Sequence, residues 1–105
     1  MGQNIPTRRQ ALDNLGDLYR AMGKYAKAEP LLQEALRIYR KVLGPEHPDT
    51  VTSLDNLAGL YWTMGEYAKA EPLFQEALRI RVTFVTFSIK EQAVPDGNSK
   101  GERPS

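Results

Sequence analysis

Two stretches of this chain are nearly the same sequence. Residues 12–39 read LDNLGDLYRAMGKYAKAEPLLQEALRIY and residues 54–81 read LDNLAGLYWTMGEYAKAEPLFQEALRIR, with 21 of 28 positions identical at an offset of 42 residues. A fixed period of roughly 20–50 residues is the signature of a solenoid, in which each unit buries its apolar face only against its neighbours. That constraint outweighs every compositional one.

Each copy divides into two helices. At 100° per residue, Ala11, Leu12, Leu15, Leu18, Tyr19 and Met22 share one face, with Gln10, Asp13, Asn14, Asp17 and Arg20 opposite them. Gly23 breaks this helix. From Tyr25 a second apolar stripe runs through Ala28, Leu31, Leu32, Ala35, Leu36, Ile38, Tyr39, Val42 and Leu43 until Gly44-Pro45 stops it. Thr7 and Gln10 have capping-box spacing, so the first helix is expected to start near Arg8. Asp49 or Thr50 is the expected N-cap of the third. Pro30 and Pro72 fall inside the second helix of each copy, where a bend is expected, since the stripe continues through both. The expected architecture is all-α: a right-handed α-solenoid of two repeats and four helices, over about 8–22, 25–43, 50–64 and 67–86. Residues 1–7 form a lead, repeat 1 covers about 8–44, repeat 2 about 50–86, and 87–105 an irregular or disordered tail.

Composition narrows the chemistry. The 14 basic and 13 acidic residues leave a net charge of +1, no footprint for a nucleic-acid backbone or an anionic membrane. Cys is absent and His47 is the single histidine, which leaves no thiol chemistry and no ligand cluster for a metal. His47, between Glu46 and Pro48, reads as turn chemistry, because no nucleophile or oxyanion donor is placed with it. Glu29 and Glu71 recur with the repeat and read as solvent-facing. No apolar run reaches the about 18 residues of a membrane span. The first residues have neither a secretory signal nor, with Pro6 where Ser or Thr is wanted, a myristoylation motif. The expectation is a cytoplasmic protein that is not an enzyme and uses no cofactor.

The repeat resembles the tetratricopeptide repeat, whose pattern is met by Leu12, Leu15, Gly16, Tyr19, Ala28, Leu32 and Ala35, and again by Leu54, Leu57, Ala58, Tyr61, Ala70, Phe74 and Ala77. Small residues let helices approach and large ones fill the gaps. The period exceeds the usual value of about 34 residues. That length, the loop VLGPEHPDT and the stretch Ala28-Glu29-Pro30-Leu31 are similar to the repeats of kinesin light chains. The resemblance implies adaptor or cargo peptide binding rather than motor activity. The heptad coiled coil through which light chains join a motor has no counterpart here.

By the family's register the first helix of each pair lines a concave groove. The resemblance places Gln10, Asp13, Asn14, Asp17, Arg20 and Ala21 there, and one repeat on Thr52, Asp55, Asn56, Gly59, Trp62 and Thr63. Asn14 and Asn56 match the groove asparagine that, in the family, hydrogen-bonds a peptide backbone; an amide both donates and accepts. Trp62 is expected as an aromatic anchor, since its counterpart Arg20 shows that repeat packing does not require it. Asp13, Asp17 and Asp55 against Arg20 make a mildly acidic groove, suited to a basic or aromatic peptide and not to a carboxylate tail.

Past Arg81 the identity ends. The stretch Val82–Ile89 is uncharged, β-branched and aromatic; it either finishes the last helix or frays into an extended strand, and its register favours the helix. No polar capping helix follows, which a solenoid end normally needs. Leu73, Ala77, Ile80 and Phe84 are therefore expected to be partly uncovered. Two functions follow. The first is an interaction module holding a protein, peptide or partner helix in its groove. The alternative is a structural piece that self-assembles, as a homodimer or longer array, by end-to-end stacking or helix exchange.

Overall fold

The computed structural model describes residues 5–93, with the backbone alone at 87, 88 and 90–93. Four helices follow one another: α1 (Arg8–Ala21), α2 (Tyr25–Val42), α3 (Pro48–Thr63) and α4 (Tyr67–Ala93), with no strand among the described residues. Helix α1 packs on α2, α2 on α3 and α3 on α4, and α1 touches α3 more lightly. The result is an all-α solenoid of two helix–turn–helix units, as the repeat implies.

The start of α1 follows from a reciprocal capping box. Thr7 Oγ1 accepts from the Gln10 N–H at 3.2 Å, and Gln10 Oε1 accepts from the Thr7 N–H at 2.9 Å. Gly23 and Gly65 turn the chain between the paired helices, each at φ 79°, a conformation that a Cβ would strain. Helix α3 begins before the expected Asp49 or Thr50 cap. Pro48 occupies its first position, where a missing N–H costs nothing, and His47 Nδ1 accepts from the Asp49 N–H at 3.0 Å. Thr50, released from capping, is fully buried; its hydroxyl lies 2.8 Å from the Gly44 carbonyl oxygen and 3.3 Å from that of Tyr39. It thereby ties α3 to carbonyls at and just beyond the end of α2.

Helix α4 runs past the expected end at residue 86 to Ala93. The reason lies in the register. Gly44, at φ 96°, and Pro45 end α2, whereas Thr86 and Phe87 stand in their places and offer neither a left-handed cap nor a stop. Part of the expected irregular tail is thus helical, and 94–105 lies outside the described residues. Helices α2 and α4 continue through Pro30 and Pro72.

The core lies along α3, which is enclosed by α2 on one side and α4 on the other. Val51, Leu54, Leu57, Leu60 and Tyr61 of α3 meet Ala28, Leu32 and Leu36 of α2 and Ala70, Ala77 and Ile80 of α4. Ala77 and Ile80, expected to be partly uncovered, are buried; Phe84 is exposed together with Leu78, Val82 and Val85.

Gly16 shows how tightly α1 sits on α2. A Cβ there would lie 2.7 Å from Leu32 Cδ2 and 2.8 Å from its Cγ. Leu32 is fully buried and cannot swing aside. Gly16→Ala is therefore expected to destabilise the fold by about 1–2 kcal/mol, the overpacking cost exceeding the helix-propensity gain of about 1 kcal/mol. Urea unfolding with an unchanged or higher midpoint would contradict this packing.

Candidate functional site

The residues expected on a groove fall on α1 and α3, and some of them share one hollow. Gln10, Asp13 and Asn14 of α1 and Thr52 and Asn56 of α3 line an open hollow of about 480 Å³, together with Ile5, Pro6 and Tyr39. Asn14 and Asn56 sit one repeat apart on its wall. Helical register puts them there, because identical positions of consecutive repeats present the same face.

Asp13 behaves differently from the solvated acid expected of a groove wall. It is buried, and its Oδ1 has no hydrogen-bond partner, nor does the buried Ser53 Oγ. Burial pushes the carboxyl up to about 6, against the opposing influence of Asn56 and Ser53 and with a further push from Asp17. One oxygen of the carboxyl, Oδ1, is thus a buried acceptor left unpaired in a residue that lines the hollow.

The other acids are already paired. Asp17 meets Arg20 at 3.0 Å one helical turn away, and Asp55 binds the Arg81 guanidinium from α4. Arg81 was not among the sequence candidates, although its register, at the position of Tyr39, is the signal that could have found it. The Arg20 guanidinium lies over Gly59, where a Cβ would come within 3.1 Å of Nη1, so this glycine makes room for the α1–α3 contact. Thr63 turns its hydroxyl back onto its own helix, donating to the Gly59 carbonyl at 2.9 Å.

Trp62 is exposed but sits apart from the asparagine hollow. Its ring packs edge-on against Tyr67 at 4.8 Å and near Phe74 at 6.5 Å. With Ala70, Glu71, Gln75 and Leu78 these aromatics line a second hollow, of about 350 Å³, at the α4 end of the solenoid. Tyr67 and Phe74 were not singled out as site residues, since both fall on positions that also serve repeat packing.

Glu29 is likewise not a solvated acid. The Tyr61 hydroxyl donates to Glu29 Oε2 at 2.8 Å and accepts from Gln33 Nε2 at 2.9 Å, which bonds Glu29 in turn at 3.2 Å. This triad joins α2 to α3. Burial and the Glu29 carboxylate raise the Tyr61 pKa, keeping its hydroxyl a donor.

No described helix is long and apolar enough to cross a membrane. A sequence model of the tetratricopeptide repeat matches residues 7–81. Among solved structures, the chain is similar to the nearly identical TPR-like repeats of a Podosopora anserina protein described as a kinesin light chain. The TM-score is 0.69 at 27% sequence identity, over 82% of this chain and 41% of that one. This chain therefore spans less than half the length of that relative. With its two 42-residue units, paired helices and matching sequence pattern, the chain belongs to the tetratricopeptide repeat family.

Proposed function

We propose that this chain is a non-enzymatic, cytoplasmic interaction module that holds an extended peptide or partner helix along the α1–α3 face. Tetratricopeptide repeats generally mediate protein–protein interaction, and the kinesin light chain-like relative is in keeping with a scaffold role. The observation that carries the reading is the asparagine hollow. Asn14 and Asn56 stand one repeat apart in its lining, together with Asp13, whose Oδ1 is unpartnered. Paired amides can follow a peptide backbone whatever its side chains. A basic side chain held in the hollow would favour the charged form of Asp13 through space. Asp17 and Asp55, already neutralised by Arg20 and Arg81, add modestly to that preference.

Calorimetric titration of basic, neutral and acidic peptide pools tests this. Basic peptides are expected to bind best. Asn14→Ala and Asn56→Ala are each expected to weaken binding about tenfold, the value of a lost buried hydrogen bond. Preference for an acidic C-terminus, or indifference to both asparagines, would refute the assignment.

A further inference from the structure

The junction between the two repeats has its two halves displayed again, one at each end of the molecule. Inside, Leu57, Leu60 and Tyr61 of α3 pack with Leu32 and Leu36 of α2 in the core. The register counterparts of the α3 set are Leu15, Leu18 and Tyr19 on α1; those of the α2 set are Phe74 and Leu78 on α4. Exposure reverses between copies: Leu60 is 0% exposed and Leu18 55%, Leu36 4% and Leu78 61%.

The polar half of the junction is repeated too. Gln75 Nε2 donates to Glu71 Oε2 at 3.2 Å, the same bond at the same length that Gln33 makes to Glu29 beneath the Tyr61 hydroxyl. Glu71 and Gln75 face the 350 Å³ hollow lined by Trp62, Tyr67, Phe74 and Leu78. At the opposite end Tyr19 lies under the Lys27 ammonium at 5.7 Å, as Tyr61 lies under Lys69 at 5.5 Å.

We propose that this hollow receives helix α1 of a second copy of the chain, with Leu15 and Leu18 against Phe74 and Leu78 and the Tyr19 hydroxyl between Glu71 and Gln75. The contact continues the solenoid across two molecules. Because its two surfaces differ, it is heterologous and open, so association builds chains rather than a closed dimer. The match covers the second half of α1. Towards its start Arg8 and Arg9 replace Thr50 and Val51, and on the receiving side Arg81 replaces Tyr39. The intermolecular junction is therefore smaller than the internal one, and its expected dissociation constant is on the order of 10–100 μM.

The test is sedimentation of the full chain from low to high micromolar concentration. The average mass is expected to rise steadily without a plateau at two. Leu18→Glu and Leu78→Glu alter exposed positions at opposite ends, so helicity by circular dichroism should be unchanged. Each is expected to raise the dissociation constant by about thirtyfold or more, as loss of a central apolar contact does. Each variant retains the surface that the other lacks, so an equimolar mixture should form a one-to-one complex and nothing larger. Tyr19→Phe, which removes only the hydroxyl, should weaken association about tenfold. A monomer throughout the range would leave this face to a different partner and overturn the proposal. So would a dimer of fixed mass, association that survives either glutamate, or a mixture that stays monomeric.

Discussion

Leu60→Ala is expected to cost about 3–5 kcal/mol of stability, whereas Leu18→Ala costs under about 1 kcal/mol, although the two leucines hold the same place in nearly identical repeats. Leu60 is fully buried in the core between α2 and α4, while Leu18 lies on the outer face of α1. Truncating the first removes its transfer free energy and leaves a cavity that close-packed neighbours cannot fill. The 89 described residues correspond to a total stability of about 4–13 kcal/mol, so the Leu60 variant loses a large part of it. Urea unfolding at low micromolar concentration, where association is negligible, checks the pair. Equal losses at the two positions would mean that α3 is not the enclosed helix.

Asp13→Asn is expected to stabilise the protein at pH 7 by about 1–2 kcal/mol, an unusual direction for a buried polar position. Burial raises the Asp13 carboxyl from 3.8 to about 6. The sign follows from proton linkage: the folded state holds the proton more tightly than the unfolded chain. The stabilising contribution is fully present below about 4 and is lost as pH rises through about 6. A shift of this size would be worth about 3 kcal/mol without screening, and water reaching the hollow reduces it. The asparagine carries no charge to desolvate and keeps the shape. Unfolding midpoints between pH 4 and 8 should show a fall with rising pH in the parent, flattened in the variant. A variant that is less stable at pH 7, with the parent's slope retained, would place a satisfied, charged carboxylate at position 13.

Local structure was largely legible in the sequence. The capping box at Thr7 and Gln10, the turns at Gly23 and Gly65 and the stop at Gly44-Pro45 each act over a few residues, and the helices follow them. The family pattern was equally readable, because its large and small residues recur at fixed spacing. The start of α3 was less so. His47 and Thr50 both have capping chemistry, and the choice fell to His47 once Thr50 was drawn into the α2–α3 contact. The length of α4 was underestimated. Its β-prone residues argued for fraying, but Thr86-Phe87 supplies no stop in the register of Gly44-Pro45.

The site divided in the same way. Asn14 and Asn56 could be placed on one face by period alone, and both line the same hollow. The fate of the acids could not. Asp13 went into the interior, Glu29 into the repeat junction and Asp55 onto Arg81, because each depends on what a neighbouring helix brings. Trp62 shares its helix with Asn56 but opens onto the α4 end beside Tyr67 and Phe74.

The sequence by itself determined where helices begin, turn and pair, since those outcomes rest on φ preferences, caps and a 3.6-residue period within each repeat. Only the tertiary structure decided which copy of each residue is covered. Leu18 and Leu60, or Leu36 and Leu78, have the same local chemistry and opposite exposure. Burial is a property of the neighbour rather than of the residue, and among the described residues α3 is packed on both sides while α1 and α4 each meet the other repeat on one.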